Sequence, residues 1–247
     1  MEIFTGIETI NGFPALYFRK LDLVAISDLQ LGEEMYLAEE KGIFVPQIQL
    51  KEEKDLIRKI CKKVKARKIL INGDFKHEFG EASKQEWREV IEFLNILKEK
   101  FKEIIIVRGN HDNYLINIVK KMGFEIYDPF YEESGYLFTH GHKEIEIPKN
   151  IHTIIIGHEE PSILIKRGFD KVKFKVILFG KAKDGKNFIC LPAFSFLSSG
   201  TDINLIGEEE ILSPILKNRV NLEELEVIAL DEEVGEIYLG KVKNLKI

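Results

Sequence analysis

Five short aliphatic runs dominate this chain, and each stops at a glycine or a tight turn. They read LDLVAISD (21–28), KILINGD (68–74), IIIVRGNHD (104–112), GYLFTHGH (135–142) and HTIIIGHEE (152–160). Runs this brief and this β-branched are strand-length, so the chain is committed to sheet wherever they occur. Amphipathic segments separate the first three, which predicts parallel pairing covered by helices. Each run also delivers a possible metal ligand where it ends: Asp28, Asp74, Asn110 with His111, His140 with His142, and His158. Four of the six histidines stand in these turns. Five such ends leaving strands for turns predict one functional rim along the edge of a sheet.

Around these runs the pattern predicts paired strands over 14–19 and 21–27 and a short helix over 33–41 stopped by Gly42. A long amphipathic helix is predicted from Pro46 to about Lys65, with Ile48, Leu50, Leu56, Ile57, Ile60 and Val64 along one face. Ser83 and Glu86 have capping-box spacing before a helix over 84–100, and a further helix is predicted near 113–122. After residue 124 short strands follow at 124–127, 135–140, 152–156, 172–180 and 187–191. EVIALD and EIYLGK read as a closing hairpin, about 225–241. Residues 205–222 have the weakest pattern and read as an irregular excursion. No Gly/Ser linker or repeat divides residues 1–247, so one domain is expected.

With 45% hydrophobic residues the chain has the material for a full core, and its formal net charge of −5 gives no global pull toward nucleic acid or anionic lipid. Cys61 and Cys190 lie far apart without metal or redox spacing, which predicts free thiols in a reducing compartment. The start lacks a basic segment followed by an apolar core, and no aliphatic run is long enough to span a membrane. A cytoplasmic location is the expectation.

Strand-end Asp, Asn and His residues can ligate a divalent ion without distorting a sheet. A bridging carboxylate can hold two ions roughly 3.5–4 Å apart, the separation used in phosphoester chemistry. The imidazoles of His140 and His158 suit manganese, iron or zinc better than magnesium. Taken singly, each residue has a plainer role: Asp28 as a turn or cap residue, GNHD as a turn, the histidines as half-buried core groups. The ordered set favours metal. Lys76 and His77 can reach a phosphate or simply face solvent, and His152 reads as structural. The basic run at 58–68 lies on an amphipathic helix and reads as its solvated face. The stretch 166–175, with Phe169 and Phe174 among lysines, reads as strand and loop surface.

The order of these motifs resembles that of the calcineurin-like metallophosphoesterases. GDFKHEF, RGNHD, THGH, IIIGHEEP and LPAFSFLSSGTD look most like the small prokaryotic, archaeal-type phosphoesterases related to the nuclease subunit SbcD, over about residues 20–205. That resemblance implies a four-layer α/β/β/α sandwich of two mixed sheets flanked by helices. It implies two divalent ions, manganese foremost, with magnesium, iron and zinc as alternatives. Asp74 would bridge them. Asn110, His140 and His158 would complete one site, and Asp28 would begin the other. His111 would assist the leaving group, Asp112 would orient His111 or cap the next helix, and His77 and His142 would contact phosphate. The chain departs from the family at two places. Gln30 and Glu160 stand where the family carries histidines, and both belong to the Asp28 site. That site is left with oxygen donors, so it is expected to bind a harder ion, to bind weakly, or to stay empty.

The function expected is hydrolysis of a phosphoester, with a diesterase or nuclease favoured. The partner is then a phosphoester substrate, DNA or a nucleotide, with a helicase or ligase associated by resemblance and no membrane. Two alternatives stand beside it: a phosphomonoesterase using the same site, or a non-catalytic scaffold that has lost ligands.

Overall fold

Strands alternate two faces, and in this chain the alternation sorts three layers of core. The computed structural model describes residues 1–80, 83–168 and 170–246. A first sheet has seven strands in sequential order: β1 (Glu2–Phe4), β2 (Ile7–Ile10), β3 (Phe13–Phe18), β4 (Leu23–Ile26), β5 (Lys68–Asn72), β6 (Glu103–Val107) and β7 (Ile126–Tyr127). Its first four strands pair antiparallel and β4 to β7 parallel. The parallel pairs need crossovers, and the helices supply them. These are α1 (Glu33–Lys41), α2 (Gln49–Lys63), α3 (Lys84–Lys100) and α4 (Leu115–Lys121). Val24, Ile26, Ile69 and Ile71 point toward the helical side and pack with Ile57, Ile60, Val90, Phe93 and Leu94. Their neighbours Leu23, Ala25 and Leu70 point the other way, onto the second sheet.

The second sheet is also mixed. Its order is β14 (Thr201–Asp202), β11 (Pro161–Arg167), β12 (Asp170–Lys181), β13 (Asn187–Cys190), β10 (Thr153–Ile156), β9 (Tyr136–Phe138) and β8 (Tyr131–Glu133). The hairpin β15 (Glu226–Asp231) and β16 (Gly235–Lys241) joins it through β12. Phe138, Ile155, Ile177 and Ile189 face the first sheet, while Ile154, Ile156 and Leu178 face outward. The inter-sheet layer is closed by Phe18, whose ring meets Phe138 edge-on at 5.1 Å and Tyr136 at 5.6 Å. Two mixed sheets flanked by helices are therefore present, as the sequence led us to expect. The outer cover of the second sheet is thin: α5 (Pro214–Arg219) and short 3-10 turns.

Where the chain departs from the predicted boundaries, local hydrogen bonding explains it. Helix α2 starts at Gln49 and not at Pro46, because Glu34 Oε1 accepts the amides of Ile48 and Gln49 at 2.6 Å each and so caps the helix from a neighbouring element. Ile48 consequently leaves the apolar face. The irregular stretch 205–222 contains α5, started by Pro214 at its first turn and by Ser213, whose Oγ accepts from Leu216. Strands β1, β2, β8, β11 and β14 carry weak or interrupted alternation and were not anticipated. Both cysteines are free. Phe169 lies outside the described residues.

Helix α3 begins as predicted. Ser83 Oγ accepts from the Glu86 amide at 3.1 Å, and Glu86 Oε2 accepts from the Ser83 amide at 2.7 Å. Ser83→Ala is expected to lower stability by about 1 kcal/mol, read as a shift of the urea midpoint at unchanged slope.

Candidate metal centre

The ends of β4, β5, β6, β9 and β10 lie side by side, so the turns that follow them share one rim. The backbone there is unusual. Asp28, Gln30, Asp74, His158 and Glu160 all have positive φ, between 48° and 65°, which non-glycine residues rarely adopt. Eight non-glycine residues do so among the described residues, and five of them are on this rim, the distribution expected where a site is held under strain. Glycine is required beside them for contact reasons. A Cβ on Gly73 would run into the His140 imidazole, and one on Gly109 into Asp74.

Asp74, His140 and His158 each offer a ligand atom, and these atoms lie within 4.8 Å of one another. His140 Nε2 stands 3.2 Å from Asp74 Oδ2 and 3.0 Å from Asn110 Oδ1. Its other nitrogen, Nδ1, faces the Asn72 carbonyl at 3.0 Å. A carbonyl only accepts, so Nδ1 carries a proton, and Nε2 is aimed at two oxygens. That arrangement is repulsive unless a proton or a cation lies among the three, and a carbonyl behind the imidazole is the usual support of a metal-bound histidine. Without an ion, a proton takes that place. Burial pulls His140 down, but the Asp74 and Asp28 carboxylates outweigh it and lift its pKa to about 10. Burial pushes Asp74 up, yet the charge and hydrogen bond of His140 hold it below the ordinary carboxylate range. Burial, then the charge of His140, lowers His158 to about 4 and leaves its lone pair free. The donor set fits a divalent cation.

Other candidate residues fall in different places. Asp28 is fully buried but stands apart from the cluster. Its Oδ2 accepts from Ser27 Oγ at 2.5 Å and from the His158 amide at 3.1 Å, and its Oδ1 lies 3.8 Å from His140 Nδ1, behind the ring. Gln30 and Glu160 do converge with Asp74, through the Gln30 amide: Nε2 is 3.2 Å from Asp74 Oδ2 and 3.4 Å from Glu160 Oε1. His111 donates its amide to Asp74 Oδ1 at 2.9 Å, its Nδ1 meets the His77 carbonyl, and its Nε2 is 3.7 Å from Asp74 Oδ2. Among the described residues no hydrogen bond joins the Asp112 carboxylate to the His111 ring. Its carboxylate accepts from Gly109 at 2.8 Å and Phe75 at 3.0 Å, clamping two rim loops together. His77 lines the mouth, 3.1 Å from Gln30 Oε1. His142 lies 5.3 Å from the His140 ring, with a buried Nδ1 that has no hydrogen-bond partner among the described residues. His152 is on the far side, bonded to Thr153 and Ser134.

Several contributors had no individual role legible in the sequence. Phe79 is half exposed, yet its ring lies 3.7 Å from that of His111, and Tyr36 packs on His77 at 4.6 Å. Ser198, within the segment LPAFSFLSSGTD, donates to Glu160 Oε2. Lys175 turns inward and donates to the carbonyls of Ala193 and Ser195, and burial lowers its pKa to about 8. An acidic residue fixing a serine, or a lysine capping carbonyls, has no periodicity to read.

Two open depressions meet at the cluster. One of about 280 Å³ is lined by Gln30, Glu33, His77, His111, Glu160 and Ser198 to Gly200. The other, about 210 Å³, adds Asp74, His158, Glu159, Thr201 and Leu212. Neither lining contains lysine or arginine. Arg108 and Lys143, which flank GNHD and HGH, are both paired with Asp128.

A two-sheet sandwich with an Asp–Asn–His–His cluster at its strand ends defines a metallohydrolase. The chain belongs to the calcineurin-like phosphoesterase family, whose model matches residues 21–192, and with it to the metal-dependent hydrolases of phosphoesters. No curated protein sequence matches it. Among solved structures it is similar to the nuclease MPE of Pseudomonas putida, at 12% identity over 93% of both chains with a TM-score of 0.62. It is also similar to Yfce, a phosphoesterase from E. coli, at 20% identity over 72% of this chain and 83% of that one (TM-score 0.39). A Vps29 double mutant from Entamoeba histolytica matches at 13% identity over 88% and 98% (TM-score 0.33). No helix among the described residues is long and apolar enough to cross a membrane.

Proposed function

We propose that the chain hydrolyses phosphate diesters, with Asp74, Asn110, His140 and His158 holding a divalent cation and His111 serving the leaving group. The observation that carries this reading is the convergence of Asp74, His140 and His158 ligand atoms within 4.8 Å. Two imidazoles, a carboxylate and an amide oxygen suit manganese, iron or zinc better than magnesium. Such an ion supplies charge neutralisation on the phosphate and a more acidic bound water. The remaining work falls to side chains. His111 has its Nδ1 proton engaged by the His77 carbonyl and its ring braced by Phe79, so Nε2 is the nitrogen left to deliver a proton to the departing oxygen. His77 lines the larger depression and His142 lies against the rings of His140 and His158, and both are assigned to the phosphate.

Charge argues for a diester over a monoester. The depressions beside the cluster carry Glu33 and Glu160 and no lysine or arginine. A diester brings one negative charge and a monoester two, and the second finds no lysine or arginine there. A long polyanion depends on many lysine and arginine contacts, so a short nucleotide diester fits better than extended DNA. The nuclease from Pseudomonas putida shares the fold, and a fold by itself leaves the substrate open.

The test compares aryl phosphate mono- and diesters with manganese. The diester is expected to be cleaved faster, and His111→Ala to slow an alkyl leaving group by about 100-fold or more while an activated aryl group loses far less. Equal losses for both leaving groups would remove His111 from the role of acid, and faster monoester cleavage would reverse the substrate assignment.

A further inference from the structure

We infer that the side-chain amide of Gln30 stands in for one of the two cations of this fold, so that the centre holds a single metal ion. The inference rests on the reading that Asp74, Asn110, His140 and His158 hold an ion, and it concerns the other half of the rim.

The Gln30 amide nitrogen has two hydrogens, and both are directed at carboxylates. One meets Asp74 Oδ2 at 3.2 Å and the other Glu160 Oε1 at 3.4 Å. A second cation sharing Asp74 and held by Glu160 would compete with the amide for those two carboxylates. The amide meets them with partial positive charge and without the dehydration a metal ion must undergo. The two carboxylates set the orientation of the amide, because they accept and only its NH₂ donates. Gln30 Oε1 faces His77 Nδ1 at 3.1 Å, and His77 is fixed by its amide bond to the Leu31 carbonyl at 2.9 Å and by packing on Tyr36. To present an oxygen to a cation, Gln30 would have to turn its NH₂ toward His77. The backbone of Gln30 resists displacement as well, since its N–H donates to the Asp74 carbonyl at 3.0 Å and its C=O accepts from Gln49 Nε2 at 3.0 Å.

The remaining groups of that half are likewise engaged inside the protein. Glu160 Oε2 is held by Ser198 Oγ. Asp28 is turned onto Ser27 Oγ and the His158 amide, behind the His140 ring. Three of the four residues that would surround a second ion therefore satisfy one another or the backbone, and the fourth, Asp74, is left to a single ion. The replacements at positions 30 and 160 act as a pair: an amide donor and a carboxylate acceptor matched across the gap.

Gln30→Glu tests this directly, because it exchanges the NH₂ for an oxygen at constant shape. Purified protein would be loaded with manganese, dialysed, and measured for metal per chain and by electron paramagnetic resonance. The parent is expected to hold one manganese with the six-line spectrum of an isolated ion. Gln30→Glu, or the double variant Gln30→His with Glu160→His should the first fail to fold, is expected to hold two, with the multiline spectrum of a coupled pair. Two coupled ions in the parent overturn the inference and leave the hydrolase reading standing. One ion in both parent and variants overturns the role given to the amide. No ion in any of them overturns the metal reading itself, and the inference with it.

Discussion

Asp74→Asn is expected to empty the metal centre and abolish hydrolysis. The substitution keeps the shape of a side chain that is 2% exposed, and its Oδ1 still accepts the His111 amide, which lies 2.9 Å away in the parent. Only the negative charge is lost. That charge balances the imidazole of His140 3.2 Å away and is the one anionic donor among the four proposed ligands. A bound cation contributes several kcal/mol to a phosphoryl transition state, so its loss corresponds to a fall of about 1,000-fold or more. Elemental analysis and an aryl diester assay are the measurements, with circular dichroism confirming the fold. A variant that keeps its metal and stays within tenfold of the parent rate would mean that Asp74 is not the anchor.

The largest loss of stability is expected from Phe138→Ala. Phe138 is fully buried between the two sheets, edge-on to Phe18 at 5.1 Å. Both sheets are already paired through their backbones, so neither can close over the missing ring, and a cavity remains. Phenylalanine-to-alanine changes of this kind cost about 3–5 kcal/mol, which for a chain of this size lowers the thermal midpoint by roughly 6–20 °C. The residue also lies two positions before His140, so metal affinity is expected to weaken in parallel. A shift of only one or two degrees would show that the layers repack freely.

Much of the architecture was legible because hydrophobic period reports local geometry. The runs ending at Asn72, Val107 and Ile156 are strands to within one residue of their predicted limits, and the Ser83–Glu86 spacing fixed the start of α3. What failed depended on tertiary partners. No window around Pro46 reveals that Glu34, fourteen residues before Ile48, will cap α2. The short edge strands β1 and β14 owe their existence to a neighbour's open edge more than to their own pattern.

The same division applies to the site. Ordered motifs identify Asp74, Asn110, His140 and His158 as candidates, because each follows a strand whose end is predictable. The orientation of a side chain beyond the strand end is not encoded in spacing. Asp28 occupies the expected place on the rim and turns away from the cluster, drawn by the Ser27 hydroxyl and the His158 amide. Asp112 likewise sits beside His111 in sequence and spends its carboxylate on the amides of Gly109 and Phe75. Gln30 and Glu160 look like lost ligands on paper. In space they hydrogen-bond to each other, a relation that only the convergence of residues 130 positions apart can reveal.

The four candidate ligands divide evenly between the layers: Asp74 and Asn110 follow β5 and β6 of the first sheet, and His140 and His158 follow β9 and β10 of the second. An ion gripped by all four would act as a rivet through the sandwich, joining halves that otherwise adhere through apolar side chains and a few polar contacts such as Asn72 Nδ2 to the Thr139 carbonyl at 2.9 Å. Thermodynamic linkage then makes tightness of metal capture and resistance to unfolding two readings of one quantity. Any change that lets the layers slide, however remote from the rim, would register first as a weaker grip on the ion.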